Sequence, residues 1–232
     1  MLRSLIYAAP KPGMTVQDFQ DYWVHKHAVQ FASKLPGVRL YSVDTFLDWG
    51  SDPTPSLFAG CAEIWMDDAD ALMTAFQSPE YLKGARADEP NWAAFWMTVS
   101  LVTETHTILA GPPDNRDSTA LKMMVLVKRK EGLDVAAFQT AMRAVQGPKL
   151  AALPGVRRCE VCLVPDPFYA TAETPYDGAA VLWFDDQAAV EAALASDVWT
   201  QQVEPGWADC VNPKYRHRMV MQEHWIVGPD LA

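Results

Sequence analysis

Short apolar runs and amphipathic stretches alternate along the chain in one order, and that order occurs twice. Residues 2–8 (LRSLIYA) and 121–129 (LKMMVLVKR) are apolar and bounded by turn residues, which predicts strands. Each is followed by a polar stop, KPGMT or KEGLD, in which Thr15 or Asp134 can cap a first helix. In the first copy Phe19, Trp23, His27 and Phe31 recur at every fourth position and so share one helical stripe. Pro36-Gly37 ends that helix, and a second strand follows at 38–46 (VRLYSVDTF), matched by 156–164 (VRRCEVCLV). Loops rich in Pro and Asp (50–57 and 165–177) lead to third strands, CAEIWM (61–66) and AAVLWF (179–184). The Asp pair after each third strand caps a second helix, an EPxWA segment comes next, and a last strand closes each copy at 99–109 and 218–227.

Strand, helix, strand, strand, helix, strand is the split βαβ, or ferredoxin-like, order. The two copies share more than order. LPGVR at 35–39 recurs at 153–157, GCAEIWMDD (60–68) answers GAAVLWFDD (178–186), and EPNWA (89–93) answers EPGWA (204–208). The expected architecture is therefore α+β, with tandem domains at 1–112 and 118–232 and the Pro/Asp-rich stretch 111–119 joining them. A four-stranded antiparallel sheet with helices on one face needs cover for its other face. Two sheets in one chain can cover each other, which predicts an intramolecular dimeric α/β barrel.

Composition narrows the partners. The net charge of −10 disfavours nucleic acid and anionic membranes, both of which require a basic surface. No apolar run reaches the ~20 residues of a membrane span, and the N-terminal apolar run is too brief for a signal peptide, so a cytoplasmic protein is expected. Cys159 and Cys162 form a CxxC, but inside a predicted strand a separation of three puts them on opposite faces, as buried thiols rather than ligands of one metal. His25 and His27, two apart on a helix, point about 200° from each other and do not chelate. No nucleotide-binding or nucleophile-elbow motif occurs. Neither a metal nor a cofactor is expected.

The string DFQDYWVHKHA, then LPGVRLY, then AEIWMDD resembles the EthD-like branch of the dimeric α/β-barrel proteins. Trp23, His27, Ala28, Pro36, Gly37, Glu63 and Trp65 match that family's motifs, and the resemblance spans nearly the whole repeat. It implies cofactor-independent chemistry on small hydrophobic or aromatic molecules, with His27 at the mouth of a pocket between helix and sheet.

Comparison of the copies then singles out residues. His27 is replaced by Gln146, and an imidazole in a pocket can act as general acid or base. Glu63 is replaced by Val181; it is expected to assist or orient His27. Trp23, replaced by Met142, and Trp65 are expected to wall the pocket, and Tyr22 and Tyr41 offer phenols to a substrate hydroxyl. His106 has a counterpart in His224, which favours a structural role between sheets first and a place in the pocket second. The expected activity is that of a lyase: dehydration, decarboxylation or release of a small carbonyl fragment from a hydroxylated aromatic molecule. A cofactor-free monooxygenase and a non-catalytic binding protein for a hydrophobic metabolite stay open as alternatives, as does further assembly into a homodimer of pseudo-dimers.

Overall fold

The computed structural model describes residues 1–48, 56–170 and 172–229. Its eight strands are β1 (Leu2–Ala8), β2 (Leu40–Phe46), β3 (Gly60–Met66), β4 (Val99–Leu109), β5 (Leu121–Arg129), β6 (Val156–Leu163), β7 (Gly178–Phe184) and β8 (Val211–Val227). They hydrogen-bond in the order β1-β3-β2-β8-β5-β7-β6-β4 and close into a barrel. The expected α+β class and tandem ferredoxin-like order hold. Two compact units follow the repeats except at the last strands: Thr103–Pro113 belongs with the second unit and the described residues from Gln222 onward with the first. Among the described residues no helix is long and apolar enough to cross a membrane. Most of the first Pro/Asp-rich loop lies outside the described residues; the second contains a short 3-10 turn at Asp166–Tyr169.

In the first unit the caps fall where the polar stops predict. Thr15 accepts from the Asp18 amide, and Asp68 accepts from that of Ala71 at the start of the helix Ala69–Gln77. The first helix is not uniform. Val16–Tyr22 is α-helical, Trp23–His27 forms a π-helical turn, and Ala28–Gln30 resumes the α-helix. Both copies carry this turn, at Trp23–His27 and Met142–Gln146, so the wide turn belongs to the repeat and does not itself mark a site.

β3 pairs antiparallel with β1 and with β2, and the register sorts side chains into two faces. Ile6 lies opposite Ala62 and Tyr41 opposite Ile64, on the face that packs with Phe19, Trp23, Leu72 and Ala75 of the helices. Leu5 and Ser42 lie opposite Glu63, on the other face. In the second unit the same alternation holds, with Glu160 opposite Val181. Cys159 and Cys162 are buried free thiols, and burial pushes the Cys159 thiol up to about 12.

Gly60 opens β3 where the first helix comes closest to the sheet. A Cβ there would stand 2.7 Å from the Asp44 carbonyl oxygen and 3.0 Å from Cζ3 of Trp23. Neither the backbone nor a packed indole can yield cheaply. Gly60→Ala is therefore expected to cost about 1–3 kcal/mol of stability, seen as a lower urea midpoint; an unchanged midpoint would mean that Trp23 repacks freely.

Candidate functional site

The stripe on the first helix delivers His27 to the sheet. Phe19, Trp23 and His27 are all buried, and the π turn keeps Trp23 and His27 on the inner side. His27 Nδ1 lies 2.9 Å from Oδ2 of Asp88, in the short helix Arg86–Asp88. The other carboxylate oxygen, Oδ1, accepts from the Tyr22 hydroxyl at 2.9 Å and from the Asn91 side-chain amide at 3.0 Å. An ionised carboxylate can only accept, so the proton of the neutral ring sits on Nδ1 and Nε2 keeps a lone pair.

Two opposed influences act on His27. Burial lowers its pKa, while the Asp88 hydrogen bond and charge raise it; burial wins, and the ring titrates below its ordinary 6.5. For Asp88 burial pushes the pKa up, but the hydrogen bonds from Asn91, His27 and Tyr22 prevail, and the carboxyl ends below its usual value. Near neutral pH the pair is a neutral imidazole held by a carboxylate.

Beside it is a partly open cavity of about 60 Å³, lined mainly by apolar side chains, among them Ile6, Trp23, Tyr41, Ala62, Ile64 and Trp92. Trp92 is the centre of the aromatic packing: its ring lies 4.6 Å from His27, 5.0 Å from Trp23 and 5.1 Å from Phe19, centroid to centroid. Tyr41 is fully buried; burial drives its pKa well above the phenol range against a hydrogen bond with Trp23, so the hydroxyl stays protonated.

His27, Trp23 and Tyr41 thus meet at one cavity, as expected, and Tyr22 reaches it indirectly by holding Asp88. Three expectations need correction. Glu63 does not orient His27: it sits on the opposite face of the sheet, fully buried and ion-paired with Arg3. Its carboxylate groups with those of Asp44 and Glu223, all within 4.8 Å of one another. In the second copy Glu160, directly across from Val181, supplies the acid, so the charge has crossed to the neighbouring strand and has not been lost. Trp65 is on that same charged face, stacked on Trp225 with Arg3 above it, and does not wall the cavity. The equivalent Trp183 lies under Lys122 and Arg158, which marks this tryptophan as part of the frame. His106, on β4, belongs to the second unit, where burial and the nearby Arg143 lower its pKa; it is not among the cavity residues.

Sequence reasoning missed Asp88, Asn91 and Trp92. A signal was present: aligned on EPxWA, Asp88 corresponds to Val203 and Asn91 to Gly206, while Tyr22 corresponds to Ala141. All three partners of the network change together with His27. In the second unit Gln146, at the His27 position, donates to the Val203 backbone carbonyl at 2.9 Å. A carbonyl replaces the carboxylate, and an amide that does not titrate replaces the imidazole.

The corrected placement has a consequence for Glu63. Glu63→Gln breaks the buried pair with Arg3 while Asp44 and Glu223 stay close by, so it should lower the urea midpoint and leave the His27 titration unmoved by NMR. A shifted His27 midpoint at unchanged stability would return Glu63 to the site.

A search of curated protein sequences found no match. Among solved structures the chain is similar to an anthrone oxidase-like protein, with 12% identity and a TM-score of 0.73 over 100% of this chain and 95% of that one. Two proteins named putative monooxygenases are also similar. The one from Lactobacillus acidophilus NCFM has 12% identity and a TM-score of 0.55 over 100% and 99% of the two chains. The one from Fusobacterium nucleatum has 10% identity and a TM-score of 0.58 over 99% and 96%. At these identities the likeness shows the fold alone. The EthD domain model matches residues 11–95 and again 130–211, covering the first helix and the EPxWA segment of each copy. The chain belongs to the EthD family, and carries two copies of its domain.

Proposed function

We propose that the first copy is a cofactor-free enzyme in which Nε2 of His27 removes a proton from a small, weakly acidic and largely apolar molecule. The observation that carries this is the 2.9 Å bond between His27 and Asp88 at the wall of an apolar cavity. Asp88 fixes the ring and stabilises the imidazolium that forms on proton transfer. The low-polarity surroundings keep the ring neutral and ready to accept.

Oxidation by molecular oxygen is the favoured outcome: a CH₂ group becomes C=O, with one oxygen atom entering the product and the other leaving as water. Support comes from the names of the structural neighbours, an anthrone oxidase-like protein and two proteins named putative monooxygenases. Elimination is the second reading. It needs an acid as well as a base, and the protonated Tyr41 at the same cavity provides one. The cavity of about 60 Å³ has room for a few water-sized groups and is smaller than the ~150 Å³ site that holds a benzene ring. It therefore receives the reacting end of a ligand, and a tricyclic such as anthrone fits only if the flanking aromatic side chains move.

A panel of small carbon acids, with anthrone included, tests this by oxygen uptake and by deuterium exchange at the acidic carbon. His27→Gln should slow both by ~100-fold or more. Exchange without oxygen uptake selects elimination; exchange at the wild-type rate in His27→Gln contradicts the base. In the wild type, kcat/KM should rise with pH through a midpoint below 6.5, because the neutral ring is the active form. Asp88 raises the His27 pKa, so Asp88→Asn should move that midpoint lower still and reduce the plateau. A midpoint that moves upward would contradict the pairing.

A further inference from the structure

Asp88 uses its two oxygens unequally. Oδ2 faces Nδ1 of His27 at 2.9 Å, while Oδ1 takes two donors, the Tyr22 hydroxyl at 2.9 Å and the Asn91 amide at 3.0 Å. Proton removal by His27 calls only for the first of these contacts. The fold does not demand the other two. The second copy carries the corresponding helix and EPxWA segment with Ala141, Gly206 and Val203 in place of Tyr22, Asn91 and Asp88. Two donors on Oδ1 do have a defined electrostatic effect: they stabilise the carboxylate as an anion and draw charge away from Oδ2. His27 then meets a weaker acceptor than a bare carboxylate, so burial can prevail over Asp88 and lower the His27 pKa.

We propose that Tyr22 and Asn91 are positioning residues that set the strength of the His27 base through Asp88. They hold the carboxylate in place for Nδ1. By sharing its charge they also keep the imidazole neutral down to a lower pH than Asp88 alone would allow. The inference rests on His27 acting as the base, and it assigns the Tyr22 hydroxyl to the carboxylate instead of to a substrate. The Tyr22 ring is held independently of that hydroxyl. It stacks on Trp92, with centroids 6.4 Å apart and planes within 17°, and Nζ of Lys26 lies 4.5 Å from its centroid. The other charged or titratable groups around the pair are Lys26 on the first helix, Tyr41 on β2, and Tyr81, Arg86 and Glu89 on the segment that carries Asp88. Glu89 is ion-paired with Arg86 and has a counterpart in Glu204, which places it in the frame of the repeat. Tyr22 and Asn91 have no such counterparts; they occur only where the His27–Asp88 pair does.

Tyr22→Phe keeps the ring and removes only the hydroxyl, and an NMR titration of His27 in that variant needs no ligand. Charge returns to Oδ2, so the His27 midpoint should rise above that of the wild type by about half a pH unit. The midpoint of kcat/KM should rise with it. A purely structural role for Tyr22 predicts the opposite sign. A carboxylate that swings away leaves the ring with burial alone, which lowers the midpoint, as expected for Asp88→Asn. A His27 midpoint that falls or stays in place in Tyr22→Phe overturns the inference. Should that variant fail to fold, Asn91→Ala, at an exposed position, removes the second donor and is read by the same rule. Failure of the base is distinguishable. If His27→Gln exchanges deuterium into the carbon acids as fast as the wild type does, His27 is not the base, while the NMR midpoints still decide whether Tyr22 and Asn91 tune the ring.

Discussion

The period-two alternation of β1, β2 and β3 is the constraint on which the rest depends. Successive side chains on a strand must point to opposite faces, so a single sheet divides the polar chemistry into two compartments. Ile6, Tyr41, Ala62 and Ile64 meet the helices and line the cavity. Arg3, Asp44 and Glu63 meet on the other side. A carboxylate on β3 could not serve His27 from residue 63 without shifting the strand by one position, which would expose every apolar residue of the cavity face to the charged one. The partner of His27 therefore comes from elsewhere in the chain, at Asp88 before the EPxWA segment.

That segment explains how the site is held. Asp88 accepts from three groups at once, His27, Tyr22 and Asn91, and each reaches it from a different position along the chain. Trp92 packs against the same helix and fixes its distance from the segment. The second copy keeps the tryptophan and the segment, as Trp207 in EPGWA, and has lost the whole acid–base network. A fused chain permits this. One copy can retain only the frame, while the other keeps the His27–Asp88 pair.

The fold was legible because it is written in periodic and local signals that tertiary packing does not overrule. The caps at Thr15 and Asp134, the Pro-Gly stops and the paired strands lie where the pattern of apolar positions puts them, except that the last strand begins at Val211, ahead of the run expected at 218–227. His27 and Trp23 were legible through helical spacing and through replacement in the second copy, whereas Tyr41 was suggested only by its place on the second strand. The same test misled at Glu63, because substitution by Val181 reflects a charge carried instead by Glu160 across the strand pair. Only register reveals that exchange, and register is not a property of a single segment. Trp65 was open to the opposite inference from the start, since its persistence as Trp183 is what a frame residue should show. Asp88 escaped because nothing local distinguishes it from the other carboxylates of an acidic chain; its meaning comes from a contact 61 positions away in sequence.

The central claim is that Asp88 holds a neutral His27 ring with its proton on Nδ1 and a lone pair on Nε2. Long-range 1H–15N spectra of the ring test this most directly, since they distinguish the two tautomers. The account predicts a protonated Nδ1 and a bare Nε2 at neutral pH in the wild type, with a loss of that preference in Asp88→Asn. A proton found on Nε2, or a tautomer that Asp88→Asn leaves unchanged, would contradict it.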